Sequence, residues 1–68
     1  MEIKCILKEL LEERGMKQQF IVDKTGITNG TLSMIVRGKS LPTLKVAYKI
    51  ADVIGKRVDE IWIPVKKS

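Results

Sequence analysis

The residues best suited to contact another molecule lie between Thr28 and Lys39. This stretch predicts a helix, because Thr28 can accept a backbone N–H bond as the N-cap and Gly38 can end the helix in a left-handed conformation. Leu32 and Ile35 are three residues apart and so bury one face. The opposite face carries four neutral residues that are small, polar or flexible, namely Asn29, Gly30, Ser33 and Met34.

The chemistry available to this face is hydrogen bonding and close contact rather than bond cleavage. Asn29 has the shape to form paired hydrogen bonds with adenine, and Met34, one turn on, can touch a thymine methyl group. Two plainer interpretations stay open: Asn29 only solvates the start of the helix, and Met34 is half-buried. Ser33 can bond a base or a phosphate. Gly30 has no side chain to read a base and costs about 1 kcal/mol relative to Ala, but it permits close approach.

The charge of the chain is concentrated around this helix. The net charge is +5, and no Asp or Glu occurs from Lys24 to Lys49. Five basic residues in that window account for the whole excess: Lys24, Arg37, Lys39, Lys45 and Lys49. Such a distribution indicates a basic face for a polyanion. The alternative is that these residues cluster by chance on a solvated surface. For Lys24 and Lys49, a merely solvated role and contact with a polyanion have equal weight.

Composition excludes several classes of function. A chain of 68 residues predicts a single domain over 1–68. Cys5 is the only cysteine and there is no histidine, so an intramolecular disulfide, a zinc cluster and histidine-dependent catalysis are excluded. We expect no cofactor, no metal, no small-molecule substrate and no enzymatic activity. A signal-peptide pattern is missing and no apolar run approaches the roughly 20 residues that span a bilayer, which predicts a soluble cytoplasmic protein without membrane contact.

The elements that position this helix are all predicted to be helical. The spacing of Ile3, Ile6, Leu7, Leu10 and Leu11 predicts a first amphipathic helix from residue 2 to about 13, ended by Gly15. Cys5 falls on the polar side of that helix and should be exposed. A short second helix from Gln18 to about Thr25 buries Ile21 and Val22. Because only Thr25 to Ile27 can then separate it from the next helix, we predict a helix-turn-helix over about 18–37.

The second half of the chain predicts two further helices. Thr43 can cap a helix from Leu44 to Ile54 that Gly55 ends. Its buried side should comprise Leu44, Ala47, Ile50, Ala51 and Ile54. A last helix from about Val58 to Trp62 buries Val58 and Ile61, and Pro64 prevents its continuation. The fold class is therefore all-α, and the predicted core contains Ile6, Leu10, Ile21, Leu32, Ile35, Leu44, Ala51, Ile54 and Ile61.

These features together resemble the helix-turn-helix family of Cro and lambda-type repressors, also called Xre-like regulators. The matching segments run from Ile3 to Trp62 and are Arg14-Gly15-Met16, Gln18, Gly26-Ile27-Thr28, Thr31-Leu32-Ser33, Ile35, Arg37-Gly38-Lys39, Pro42-Thr43-Leu44, Ile50-Ala51, Gly55 and Asp59-Glu60-Ile61. The resemblance implies a compact five-helix lambda-repressor-like domain that docks its third helix in the major groove, usually as a dimer. It also implies DNA phosphate contacts from Gln18, Thr28, Thr31, Arg37, Lys39 and Lys45.

Several positions depart from the family pattern. Lys17 replaces the usual Ser or Thr N-cap of the second helix, a loss of about 1 kcal/mol. Val22 replaces Ala and Thr25 replaces Leu, two changes that compensate in volume. Leu11 and Val36 stand where the family often has an Arg–Glu pair. Since both have become apolar together, we predict that they pack against each other.

The C-terminal residues suggest how two copies meet. Trp62, Ile63 and Val65 form an apolar group in a short apolar and basic tail over 63–68. Such a surplus is typical of an interface, and we predict a homodimer, formed in solution or only on DNA, with these three residues in or near the contact. The alternative is that Trp62 closes the core. Phe20 lies off the buried side of the second helix, where it either folds under the chain terminus or contacts a partner.

The sequence thus favours a regulator that binds a double-stranded DNA operator, of the phage or prophage repressor type. The alternative is an antitoxin or other protein-interaction module with the same fold, which the weak reading residues Gly30 and Met34 favour and the acid-free window opposes. RNA binding is less favoured, because Phe20, Tyr48 and Trp62 are not arranged as a stacking platform. An enzyme is least favoured, because no acid, base and nucleophile converge.

Overall fold

A computed structural model describes residues 2–66 of the chain. Within that range the elements are β1 (Glu2–Cys5), α1 (Leu7–Arg14), α2 (Gln18–Thr25), α3 (Asn29–Val36), α4 (Leu44–Ile54), α5 (Val58–Ile61) and β2 (Trp62–Val65). The five predicted helices are present. The last part of the predicted tail, residues 67 and 68, lies outside the described residues.

The two ends of the described chain pair as a small antiparallel sheet. Glu2 lies opposite Val65, and Cys5 lies opposite Trp62. The Ile6 N–H donates to the Ile61 carbonyl at 2.9 Å and so continues the pairing beyond β1. The prediction of an all-α fold is therefore wrong: this is a mostly helical domain with a two-stranded sheet. A hydrogen-bonded partner is available to the first residues, and pairing with it outweighs their helical periodicity.

The first helix is shorter than predicted, because the residues predicted to form its first turn belong to strand β1. It begins at Leu7, and Gly15 ends it with a φ of 60°. Leu7, Leu10 and Leu11 are buried, whereas Ile6 is only partly buried. The predicted exposure of Cys5 is also wrong. Its side chain is half-buried and the Sγ atom lies 3.6 Å from the Ile35 carbonyl as a hydrogen-bond donor.

The connection in the helix-turn-helix has the predicted length of three residues, although it runs over 26–28 rather than from Thr25 to Ile27. Gly26 ends α2 with a φ of 77°, a left-handed conformation that glycine adopts without strain, and α3 begins three residues later at Asn29. α2 packs against both α3 and α4. The Thr25 hydroxyl is buried but satisfied, since it donates to the Ile21 carbonyl at 2.7 Å. A polar residue is thereby accommodated where the family commonly has an apolar one.

The bounds of α4 agree with the prediction, but one of its expected core residues does not. Thr43 accepts the Val46 N–H at 3.3 Å as the N-cap, and Gly55 ends the helix. Leu44 was assigned to the core and is instead 69% exposed, so that assignment is wrong. It is the first residue of the helix, where the side chain projects past the end of the packed surface. α5 ends at Ile61, one residue before the predicted end, because Trp62 begins β2.

The buried residues form one apolar cluster drawn from all five helices and β2. Its members are Leu7, Leu10, Leu11, Ile21, Leu32, Ile35, Val36, Ala47, Ile50, Ala51, Ile54, Ile61 and Trp62. The Arg14 guanidinium donates to the Ile54 carbonyl, which joins the C-terminal ends of α1 and α4. In residues 2–66, every helix is too short or too polar to cross a membrane.

Candidate nucleic-acid interface

The orientation of α3 is fixed by its buried side. Leu32, Ile35 and Val36 are at most 6% exposed, so the opposite side of the helix faces outward. Among the predicted base-contacting residues, Asn29, Gly30 and Met34 are exposed and Ser33 is half-buried. All four are brought together on one helix of eight residues. Space is open at Gly30, where an added Cβ would meet nothing within 4 Å.

Two hydroxyl groups order the start of α3. Thr28 Oγ1 accepts the Thr31 N–H at 3.2 Å and lies 2.9 Å from Thr31 Oγ1, so the two hydroxyl groups share a hydrogen bond. Either hydroxyl can donate to the other, so one of the two keeps a hydrogen that it can donate outward. Thr28 and Thr31 are both exposed, and their hydroxyl groups are therefore accessible to a phosphate oxygen.

Basic side chains follow directly after α3. Arg37 is exposed, and its guanidinium lies 3.6 Å from the Met34 sulfur. This contact holds the Arg37 side chain along the outward face of the helix. Lys39 and Lys45 are also exposed. The positive charge therefore follows the neutral residues of α3 along the chain, with Arg37 reaching back to Met34, and such basic side chains suit contact with phosphates.

The start of α2 provides a second group of donors. Lys17 makes no side-chain cap hydrogen bond, as the sequence predicted, so the first N–H groups of α2 have no side chain to satisfy them. Gln18, the first residue of the helix, is exposed. Lys24 contributes less to this surface, because its ammonium lies 5.6 Å from the Phe20 ring centre in a cation–π contact. Phe20 itself is 43% exposed rather than folded under the chain.

The three residues predicted for a dimer contact do not share one environment. Trp62 is only 6% exposed and closes the core, Ile63 is half-buried and Val65 is 38% exposed. Neighbouring residues of a strand point to opposite faces, so Trp62 lies on one face of β2 and Ile63 and Val65 on the other. Of these three residues, only Ile63 and Val65 are therefore available for contact with a partner.

The only cysteine lies opposite Trp62 in the sheet, and its Sγ atom donates to the Ile35 carbonyl on the buried side of α3. Burial raises the pKa of the Cys5 thiol above its ordinary value; the backbone of Leu7 and the side chain of Trp62 partly offset this, and the Glu9 carboxylate adds to it. The buried indole N–H of Trp62 approaches the thiol without the geometry of an ordinary hydrogen bond. The raised pKa favours the protonated form of the thiol, which is its less reactive form.

Sequence reasoning missed one exposed surface. Leu41 is 63% exposed, Leu44 is 69% exposed and Ile3 is 39% exposed. These three residues, with Pro42 and Val58, surround a shallow recess that Ala47 and Trp62 also line, and we call the whole surface the apolar patch. One signal was available in the sequence: Leu41 stands in a predicted loop, where burial is not expected.

Comparison with known proteins agrees with this geometry. The model of the HTH_3 helix-turn-helix family matches residues 7–61, from the start of α1 to the end of α5. An uncharacterised HTH-type transcriptional regulator of Archaeoglobus fulgidus is 33% identical over 57 residues, which are 84% of this chain and 81% of that protein. The uncharacterised HTH-type regulator MJ0272 of Methanocaldococcus jannaschii is 35% identical over 49 residues, 72% of this chain and 74% of that protein.

A solved structure shares the fold. The crystal structure of a transcriptional regulator from Listeria innocua aligns with all of this chain at a TM-score of 0.79 and 17% sequence identity, and this chain spans 65% of the length of that protein. Fold, site and relatives define a transcriptional regulator with a helix-turn-helix DNA-binding domain. The chain belongs to the HTH_3 family of Cro and lambda-type, Xre-like regulators.

Proposed function

We propose that this chain is a repressor that binds a specific operator in double-stranded DNA as a two-fold dimer, with α3 inserted in the major groove. The observation that carries the proposal is the exposed neutral face of α3 with Arg37 and Lys39 at its C-terminal end. A groove-reading helix needs uncharged side chains at the base edges and positive charge at the phosphates, and this helix has that order.

The direct base contacts in this proposal come from α3. Asn29, at the first turn, bonds a base edge, and Met34, held by Arg37, contacts a thymine methyl group. Gly30 lets the backbone of α3 approach the DNA bases closely, since no protein atom fills the space beside it. These contacts are few, so one copy discriminates weakly between sequences. Two copies about 34 Å apart on one face of the duplex add their discrimination.

The phosphate contacts come from three places. Thr28 and Thr31 share one hydroxyl hydrogen bond, which leaves one hydroxyl hydrogen to donate to a phosphate. The uncapped start of α2 at Gln18 presents backbone N–H groups with the favourable end of the helix dipole. Arg37, Lys39 and Lys45 add charge. We infer a binding function without a chemical reaction, exerted on cytoplasmic DNA. A phage or prophage origin is part of the same proposal and has support only in the family resemblance.

Selection of bound fragments from random duplex DNA tests this proposal, followed by affinity measurements on the selected and a scrambled duplex. Asn29→Ala should lose about 1–3 kcal/mol of affinity for the selected duplex and little for the scrambled one. Arg37→Ala should weaken both alike. Arg57→Ala is the control: it removes the same charge at the N-cap of α5, outside the basic window, and should change neither affinity.

Absence of duplex binding at low salt would contradict the proposal and leave the protein-interaction module as the function. Equal losses for Asn29→Ala on both duplexes would retain DNA binding but remove the assignment of base reading to α3.

A further inference from the structure

We infer that Cys5 is a positioning residue for DNA binding, whose thiol holds the C-terminal turn of α3, and with it Arg37 and Lys39, against the sheet. The inference rests on the proposed function, because the position of those two side chains matters for binding only if α3 contacts DNA. The Cys5 Sγ atom donates to the Ile35 carbonyl at 3.6 Å, across 30 residues of sequence. The strand at one end of the described chain is thereby joined to the backbone of the recognition helix.

The carbonyl that Cys5 contacts belongs to the turn that ends α3. A helix that closes with a left-handed glycine commonly forms two backbone hydrogen bonds, one from the glycine and one from the residue after it. Both are present here: the Gly38 N–H donates to the Ile35 carbonyl at 3.0 Å, and the Lys39 N–H donates to the Met34 carbonyl at 2.9 Å. The Ile35 oxygen therefore accepts two hydrogens, one from its own turn and one from Cys5 on β1.

The indole of Trp62 is directed at the same thiol. Its Nε1 atom is buried without an ordinary hydrogen-bond partner, in a residue that is only 6% exposed. Cys5 and Trp62 lie directly opposite each other in the sheet, so their side chains share one face. The next pair along the strands is hydrogen-bonded, since the Ile6 N–H donates to the Ile61 carbonyl. Cys5 and Trp62 therefore form the alternate kind of pair, in which the two side chains approach most closely.

A thiol can serve both of these neighbours at once. The indole N–H of Trp62 only donates, whereas a thiol has one weakly donating hydrogen and a weakly accepting sulfur. The sulfur therefore faces the indole N–H while the S–H hydrogen is directed to the Ile35 carbonyl. Polar contacts in such a chain polarise and strengthen one another, more so at a half-buried site than in water. The sheet is thus linked to α3 by directional contacts in addition to apolar packing.

The link acts on the positive charge that follows α3. Arg37 and Lys39 come two and four residues after Ile35, within the turn that Cys5 contacts. Displacement of this turn moves both charged groups relative to the phosphates, and it does so on any duplex, because phosphates carry no sequence information. Asn29 lies at the other end of the helix. We therefore expect the Cys5 contact to affect affinity rather than discrimination between base sequences.

Duplex affinities of two variants at position 5 test the inference. Cys5→Val keeps an apolar side chain in the strand but removes the donor, and it should weaken binding to the selected and the scrambled duplex alike, by about three- to tenfold, the factor typical of one hydrogen bond. Cys5→Ser keeps a donor and should lose less. Val53→Ala is the matched control: it trims a half-buried side chain that packs on the same core outside the basic window, and it should change affinity less than about twofold.

A double-mutant cycle tests whether Cys5 acts through the turn. In a protein that already carries Arg37→Ala and Lys39→Ala, Cys5→Val should change affinity by less than about twofold, because the side chains that the thiol positions are gone. A loss as large as in the parent background would show that Cys5 acts elsewhere and would overturn the inference.

Two measurements without DNA distinguish the link from ordinary packing. Cys5 is the only thiol, so the protein has a single S–H stretching band, which should move to higher frequency in Trp62→Phe as polarisation by the indole N–H is lost. Amide hydrogen exchange at Gly38 and Lys39 should accelerate about threefold or more in Cys5→Val and not in Val53→Ala. The exchange measurement stands by itself if Trp62→Phe does not fold.

Two results would overturn the inference while leaving DNA binding intact. In the first, Cys5→Val binds duplex DNA as tightly as the parent and exchanges its Gly38 and Lys39 amides at the parental rate. In the second, Cys5→Val and Val53→Ala lose affinity equally, which reduces Cys5 to a packing contact. Faster exchange at Gly38 and Lys39 in a protein that binds no duplex would support the link between the sheet and α3 and contradict the proposed function instead.

Discussion

The pair Leu11 and Val36 provides a quantitative test of how this domain is packed. Both residues are buried, 5% and 6% exposed, and both belong to the one apolar cluster. They also line the same surface groove, together with Met16. Leu11→Arg replaces a buried apolar side chain with a charged one, without the acidic partner that the family often has at position 36. Met16 and Val36 line the groove beside it, and Lys8, Glu12 and Lys17 lie at the same groove.

The size of the effect follows from two contributions. Removing a buried leucine side chain loses about 1.5–3 kcal/mol of transfer free energy. The arginine stem recovers part of this by covering the same surface, while its guanidinium is partly desolvated. The groove is open to water, which keeps the desolvation below that of a fully buried ion. We therefore expect a loss of about 2–4 kcal/mol, against a total of roughly 3–10 kcal/mol for a chain of this size.

Urea denaturation of four proteins measures the coupling. These are the parent, Leu11→Arg, Val36→Glu and the double variant, all at a protein concentration too low for association. The double variant should recover at least about 1 kcal/mol relative to the sum of the single losses, because it restores a charge pair across the contact. Leu41→Arg is the control, since the same change at a 63% exposed leucine should shift stability by less than about 0.5 kcal/mol.

Two outcomes would refute the reasoning. A Leu11→Arg protein as stable as its parent would show that position 11 is not enclosed. Losses that add to within about 0.5 kcal/mol in the double variant would show that Leu11 and Val36 are buried separately rather than against each other.

Three further predictions concern charge and the thiol. Arg37→Ala and Lys39→Ala should each reduce the slope of log affinity against log salt by about 0.9 on any duplex, and an unchanged slope would place that side chain off the phosphates. Because its pKa is raised, Cys5 should react with iodoacetamide more slowly in the native than in the urea-unfolded protein, and stability should be constant at neutral pH and fall as pH rises through the thiol pKa. Arg14→Ala should cost about 1–2 kcal/mol in urea denaturation, because it removes a charged hydrogen bond at the end of α4, whereas Arg57→Ala, which removes an exposed ion pair, should cost less than about 1 kcal/mol.

The helix-turn-helix and α4 were predictable because their limits are set by local chemistry. Thr28 and Thr43 both accept the N–H three residues ahead, as their sequence positions indicated. Gly26 and Gly55 both adopt a left-handed conformation at the end of a helix. Such signals depend on a few neighbouring residues, and no distant contact is needed to interpret them.

The sheet was not predictable from the same kind of signal. Residues 2–5 alternate polar and apolar, and they also fit the helical spacing that continues through Leu7 and Leu10. Residues 2–5 form a strand rather than a helical turn because they pair with Trp62–Val65 at the other end of the described chain. Once β1 forms, Cys5 turns toward the core instead of toward solvent.

The candidate site was predictable where it depends on one helix and not where it depends on several. The outward residues of α3 follow from the burial of Leu32 and Ile35 on the same helix. The apolar patch instead combines β1, the loop after α3, α4 and α5, so it exists only in the folded chain. The Leu44 side chain was assigned to the core because helical periodicity does not show where a neighbouring helix ends.

The pairing of β1 with β2 leads to an expectation for the order in which the surfaces of this protein form during folding. The strands join residues about sixty positions apart, and contacts that close so long a loop form later than local ones. The contacts between α2 and α3 span only a short loop, so the helix-turn-helix can assemble before the sheet closes. Ile3 is delivered to the apolar patch by β1. We therefore expect a folding chain to form the helix-turn-helix first and to complete the apolar patch last.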